Sequence, residues 1–124
     1  MASLIVKQLR QGEQVKVATD LIVQPTYAED CARAIWYEIK GTGLEENILN
    51  IAGPEIVSLY RFAEEVCLQF GLDASLLKKA ENKDLTTPRP LNTCFDTNKL
   101  SNHPFRLLNM HDGLILMKAS ENAI

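Results

Sequence analysis

From Ser58 to Gly71 the chain reads as one amphipathic helix with both ends marked, and no other segment limits the fold so strongly. Leu59, Phe62, Ala63, Val66 and Phe70 recur at spacings of three and four and make one apolar stripe. Arg61, Glu64, Glu65 and Gln69 fall outside it and are expected to face water. Ser58 offers an oxygen to the unpaired amides of the first turn. Gly71 stands where helices commonly end on a left-handed residue. Such a stripe has to be buried against other elements, so the helix needs partners.

The partners are short. Ala2 to Arg10, with Leu4, Ile5 and Leu9, predicts a helix ended by Gly12. Val15 and Val17 alternate with polar neighbours and predict a strand, while Asp20 to Gln24 reads as a second extended run or a loop. After Pro25, Thr26-Tyr27-Ala28-Glu29 has the form of a capping box, in which Thr26 bonds the amide of Glu29 and the Glu29 carboxylate returns to Thr26. Ala28, Cys31, Ala32, Ile35 and Ile39 then give one apolar face, stopped at Gly41 and Gly43. Asn47 to Ile51 predicts a short strand and Gly53-Pro54 a sharp turn. Asp73 caps a short turn holding Leu76 and Leu77. Lys78 to Asn92 is polar, contains Pro88 and Pro90, and reads as a long loop of the kind that is usually functional or mobile. Asp96 caps a short helix carrying Leu100, and Asn109 or Asp112 caps a last one with Leu114, Ile115, Leu116 and Met117. The fold class is a small α/β or α+β module of about four to five helices and a few short strands, too few for a doubly wound sheet.

With 124 residues the chain is about one domain, and 46% apolar against 23% charged residues is a globular balance. A net charge of -3 without a basic stripe argues against nucleic acid. The apolar runs fall far short of the ~20 residues a membrane span requires. Cys31, Cys67 and Cys94 form no Cys-x-x-Cys pair, and Cys31 and Cys67 read as small buried hydrophobes, so a reducing, cytoplasmic setting is expected.

Chemistry-bearing motifs are sparse. A dinucleotide cradle needs a glycine-rich turn between strand and helix, and none of the six glycines makes Gly-x-Gly-x-x-Gly. No cofactor is therefore expected on this chain alone. No tyrosine has a lysine four residues on: Tyr27, Tyr37 and Tyr60 are followed at that offset by Cys31, Gly41 and Glu64. His103 and His111 lack metal-ligand spacing and read as surface or cap residues, so no catalytic or metal residue is assigned. Asp30, in the first turn of its helix, is suited to the dipole rather than to acid–base work. Arg89 is different. Pro88 and Pro90 restrict the backbone around it, and a fixed guanidinium suits bidentate binding of phosphate or carboxylate. The plainer reading of the same residues is a stiff connector with a solvated arginine.

Three segments together resemble a known family. Gln24-Pro25-Thr26-Tyr27-Ala28-Glu29-Asp30 is similar to the Pro-Thr-Tyr-x-x-Asp-Leu-Ala helix start of dTDP-4-dehydrorhamnose reductases. Asn50-Ile51-Ala52-Gly53-Pro54-Glu55, followed by Ser58-Leu59-Tyr60-Arg61-Phe62-Ala63, resembles that family's Ala-Gly segment. Pro88-Arg89-Pro90-Leu91-Asn92 with Asp96-Thr97-Asn98-Lys99-Leu100 resembles its Arg-Pro…Asp-x-x-Lys-Leu signature, with Phe95 where an aliphatic residue is usual. Order and spacing agree from about Leu4 to Leu116.

The resemblance implies the carboxy-terminal, substrate-binding part of an extended short-chain dehydrogenase/reductase. Residues 1–124 would be a single substrate-binding domain, without the Rossmann half that carries NAD(P)H in the complete enzyme. The implied ligand is a dTDP-sugar, with Arg89 near its diphosphate and Gln24 and Thr26 near the cleft. The implied partner is the missing Rossmann half, or a second copy meeting the face left exposed. Two alternatives stand beside this. One is a non-catalytic regulatory module, as the methionine adenosyltransferase beta subunit resembles this family. The other is the corresponding part of a sugar-nucleotide epimerase or dehydratase.

Overall fold

The protein is described by a computed structural model over residues 1–41 and 48–121. The helix expected from Ser58 forms as α3 (Leu59–Phe70), and the other elements assemble around it. Its Ser58 hydroxyl accepts from the Arg61 amide at 3.1 Å. Gly71 ends it at φ 65°, in the left-handed region, while the Leu72 amide reaches back to the Cys67 carbonyl at 2.9 Å. Phe62, Ala63, Val66, Cys67 and Phe70 are all buried.

Three elements cover that stripe. α1 (Ala2–Arg10) contributes Ile5, Val6 and Leu9, although Leu4 turns to solvent. α5 (Met110–Glu121) contributes Met110 and Leu114, while Ile115 and Leu116 stay exposed. The third is a two-stranded parallel sheet of β1 (Val15–Ala18) and β4 (Leu77–Ala80), with Val15 opposite Leu77 and Ala18 opposite Ala80. Val15, Val17 and Leu77 point into the core. β4 occupies the start of the stretch read as loop. Its sequence, Leu-Lys-Lys-Ala, carries two exposed lysines and so lacks the alternation that marks a half-buried strand.

A second pair, β2 (Ile22–Val23) and β3 (Val57–Ser58), is antiparallel and lies where α3 begins. The strand expected at Asn47 to Ile51 does not form over Ile48–Ile51, and Asn47 lies outside the described residues. The small turn at Ala74–Leu76 forms with Asp73 accepting from the Ser75 amide at 2.9 Å. α4 (Asn98–Ser101) buries Leu100, and Asp96 accepts from the Asn98 amide at 2.9 Å. Of the two candidate caps for α5, Asn109 is the one used: it accepts from the Asp112 amide at 2.8 Å.

α2 (Ala28–Ile39) departs most from expectation. Its apolar face points outward: Ile35, Trp36 and Ile39 are 54%, 59% and 69% exposed. Its polar side points inward. Asp30 is fully buried and accepts from the Leu108 amide at 2.7 Å and from Arg33 at 2.5 Å. His103 is buried rather than superficial. Its Nδ1 accepts from the Phe105 amide at 3.2 Å, and its Nε2 lies 3.0 Å from Glu38 Oε1. The Asp30–Leu108 bond and the packing of Tyr37 on His103 and Phe105 fasten residues 103–108 to one side of α2, and Ile35, Trp36 and Ile39 on the other side stay exposed.

Glu65 also corrects the sequence expectation, because it is buried at the contact of α3 with α5. Its carboxylate meets Arg61 at 3.0 Å, Gln69 at 2.8 Å and His111 Nδ1 at 2.9 Å. The hydrogen bond from His111, then that from Gln69, hold its carboxyl below the ordinary value of 4.5; burial opposes them and Arg61 assists. A carboxyl depressed in the folded state adds stability above its unfolded pKa, and that stability is lost as pH falls through the folded value. Urea midpoints are therefore expected to fall more steeply between about pH 5 and about pH 3 in the natural chain than in Glu65→Gln. Equal slopes would remove Glu65 as the source.

Candidate functional site

The three segments singled out in the sequence meet in space, and the meeting point is Gly53. A Cβ added there would lie 1.9 Å from the Pro25 carbonyl oxygen, so only glycine fits. That close approach brings both peptide groups of Gly53 within reach of side chains from the turn after β2. Gln24 Nε2 donates to the Gly53 carbonyl at 3.0 Å, and the Gly53 amide donates to Thr26 Oγ1 at 2.9 Å. Thr26 in turn donates to the Gln24 carbonyl at 3.1 Å. The other end of the Gln24 amide accepts from the Phe95 amide at 3.0 Å, which draws in the third segment.

Thr26 therefore does not cap α2. The cap position is Tyr27, with no side-chain bond to the first turn, and the expected box with Glu29 is not made. The Thr26 hydroxyl instead accepts from the Gly53 amide and donates to the Gln24 carbonyl, which turns it away from the first turn of α2. Glu55, from the Gly53 segment, accepts from the Met110 amide at 2.6 Å and so links this region to the start of α5.

Arg89 lies in the extended segment beside β2. The Ile22 amide donates to the Leu91 carbonyl at 2.8 Å, and Ile22 pairs with Asn92 in a parallel bridge. The backbone of Arg89 is held by Asn82: the Arg89 amide donates to Asn82 Oδ1 at 3.0 Å, and Asn82 Nδ2 donates to the Arg89 carbonyl at 2.5 Å. The Arg89 side chain is exposed and makes no hydrogen bond or ion pair among the described residues. Of the three expected site residues, then, Gln24 and Thr26 are brought together with their polar atoms engaged internally, and Arg89 stands in the neighbouring segment with its charge available. Nothing in the spacing of Asn82 and Arg89 signalled their bond.

A cleft of about 380 Å³ opens next to Thr26, between the start of α2, the start of α1 and α5. Pro25, Tyr27, Phe62, Met110, Leu114 and Met117 give it a mostly apolar wall. Tyr27 packs near Gly113, where an added Cβ would lie 3.3 Å from its own. Burial first, then its hydrogen bond to Glu29, push the Tyr27 phenol up, the reverse of what a tyrosine base needs. Burial likewise raises the Cys67 thiol, which packs as a small hydrophobe, whereas Cys31 is half-buried. Among the described residues no cluster of three histidine, cysteine or acidic side chains could hold a metal ion.

Among the described residues neither strand-to-helix junction has the form of a dinucleotide cradle: the turn from β2 to α2 is Gln24-Pro25-Thr26-Tyr27, and β3 runs directly into α3, so neither offers glycine backbone to a pyrophosphate.

Solved structures share this fold. A dTDP-4-dehydrorhamnose reductase from Clostridium acetobutylicum superposes with a TM-score of 0.83 at 17% identity, over 98% of this chain and 44% of that one. The enzyme of that name from Bacillus anthracis, solved with NADP, gives 0.77 at 18% identity, over 92% and 40%. A dTDP-glucose 4,6-dehydratase from Bacillus anthracis, solved with NAD, gives 0.73 at 13%, over 93% and 36%. This chain thus spans less than half the length of each. No curated protein matches it in sequence. The architecture is that of one part of a sugar-nucleotide reductase or dehydratase. The profile of the RmlD substrate binding domain matches residues 1–117, and the chain belongs to that family.

The Gly53 junction generates a direct test. Gly53→Ala pushes the Pro25 carbonyl away and breaks the two hydrogen bonds of Gly53, and is expected to destabilise the chain by about 2 kcal/mol or more in urea unfolding. A loss under about 0.5 kcal/mol, the scale of an ordinary surface substitution, would show that the junction is not needed.

Proposed function

We propose that residues 1–124 are the dTDP-sugar-binding domain of a cytoplasmic, NAD(P)H-dependent reductase of the dTDP-4-dehydrorhamnose type, which completes dTDP-L-rhamnose by reducing a 4-keto sugar. The observation that carries this reading is Arg89: an arginine with a fixed backbone and a guanidinium free among the described residues, in the segment that joins the Gly53 junction. A planar guanidinium binds a diphosphate through two parallel hydrogen bonds and keeps its charge at every physiological pH. Gln24 and Thr26 serve the site by fixing the turn beside the cleft. In this reading the hydride donor belongs to a dinucleotide-binding part outside these residues. Calorimetric titration with dTDP is expected to show saturable binding that Arg89→Ala weakens about tenfold or more, equivalent to about 1.4 kcal/mol. An unchanged affinity would take Arg89 out of the site.

The same reading gives a role to the outer face of α2. Ile35, Trp36 and Ile39 form a contiguous apolar strip that a dinucleotide-binding part would cover. Left uncovered, the strip drives self-association of the 124-residue chain. Sedimentation is expected to give a mass that rises with concentration, and Ile35→Lys with Ile39→Lys to return it to 13.9 kDa. A natural chain that stays monomeric at every concentration would refute this.

A further inference from the structure

We infer that Asn82 is the positioning residue of the Arg89 anion site, an inference that rests on the reading of Arg89 given above. Asn82 is buried, and a buried amide has to find partners for both its ends. It finds them on one residue. The oxygen takes the Arg89 amide and the nitrogen gives to the Arg89 carbonyl, so the side chain grips that peptide as a neighbouring strand would.

The grip is anchored in the core. The Asn82 amide donates to Asp20 Oδ1 at 2.8 Å, and Asp20 lies just past β1. The Thr19 amide donates to the Ala80 carbonyl at 3.0 Å, prolonging the β1–β4 pairing up to the same point. A continuous path therefore runs from the buried sheet through Asp20 and Asn82 to Arg89. On the far side Leu91 and Asn92 are bonded to Ile22. Between these two fixings Pro88 and Pro90 limit the remaining backbone freedom.

The physical consequence is preorganisation. The backbone that carries the guanidinium is ordered when the chain folds, so that ordering is not charged against binding of an anion. Removing the Asn82 side chain leaves Arg89 in place chemically but frees its peptide. The anion then has to order the segment itself, and affinity falls although no contact to the anion has been deleted.

The test is a thermodynamic cycle on the 124-residue chain, using dTDP in calorimetry, with fold and stability checked separately by circular dichroism and urea unfolding. Asn82→Ala is expected to weaken dTDP binding about three- to tenfold while keeping its dependence on salt, because the Arg89 contact is still made, whereas Arg89→Ala flattens that dependence. The double variant is expected to bind within about twofold of Arg89→Ala alone, because a positioning residue has nothing left to position. A residue that only supports the fold would give losses that multiply. Asn82→Ser, which keeps a small polar group at the buried position, takes the place of Asn82→Ala if the latter is unfolded. Natural affinity in the Asn82 variant, with Arg89→Ala weakened, overturns the positioning role and leaves the Arg89 reading intact. Natural affinity in Arg89→Ala, or no binding of dTDP by the folded natural chain, overturns the Arg89 reading and this inference with it.

Discussion

The contact between the Gly53 backbone and the Pro25 carbonyl is the constraint on which the site depends. A side chain at 53 would collide with backbone, which cannot yield as the end of a flexible side chain can. Because there is none, two stretches of chain separated by α2 run close enough for Gln24 and Thr26 to satisfy both peptide groups of Gly53. The remaining end of the Gln24 amide then fixes Phe95. One small residue thus lets one glutamine join three segments. The polar groups of a buried or half-buried backbone have to be paired, and here side chains do what a sheet would otherwise do.

How much of this was legible in the sequence depends on what each feature needs. α3 was legible because its information is local: a stripe at helical spacing, a serine before it and a glycine after it. β4 was not, because Leu-Lys-Lys-Ala becomes a strand only through its non-local pairing with β1. Glu65 was read as solvated from its place on the helix, yet α5 brings His111 against it from 46 residues away. The capping box failed for a related reason: a residue 27 positions away, Gly53, draws the Thr26 hydroxyl to itself. At the site, Arg89 was visible through its flanking prolines, while Asn82 was invisible because it stands seven positions before the residue it holds, with no periodic pattern between them.

α2 is the case where local pattern and observed burial are inverted. An apolar face was read correctly as a face, but its partner is not found among the described residues. Asp30 bonds Leu108 on the side turned toward residues 103–108, where His103 is buried against Tyr37. A fully buried aspartate is stable there because it accepts two hydrogen bonds, one of them from a charged group. That fixes the rotation of the helix. Ile35, Trp36 and Ile39 have no choice but to face outward, and a strip of that kind is a surface awaiting a second layer.

The three expected site residues differ in what they can still offer a ligand. The Gln24 amide is satisfied at both ends, and Thr26 has already given its only proton. Redirecting either one to a ligand would unpair Gly53, whose burial makes that costly. Arg89 carries the opposite arrangement, with a bound backbone and a head that is free among the described residues. A rigid peptide supporting a long side chain suits a doubly charged ligand: the side chain can adjust to the phosphate geometry while its root stays in place. The division between residues that hold the scaffold and a residue with its charge available follows from where each hydrogen bond already goes, and on the proposed reading it makes the arginine the position at which affinity for the charged part of the ligand is set.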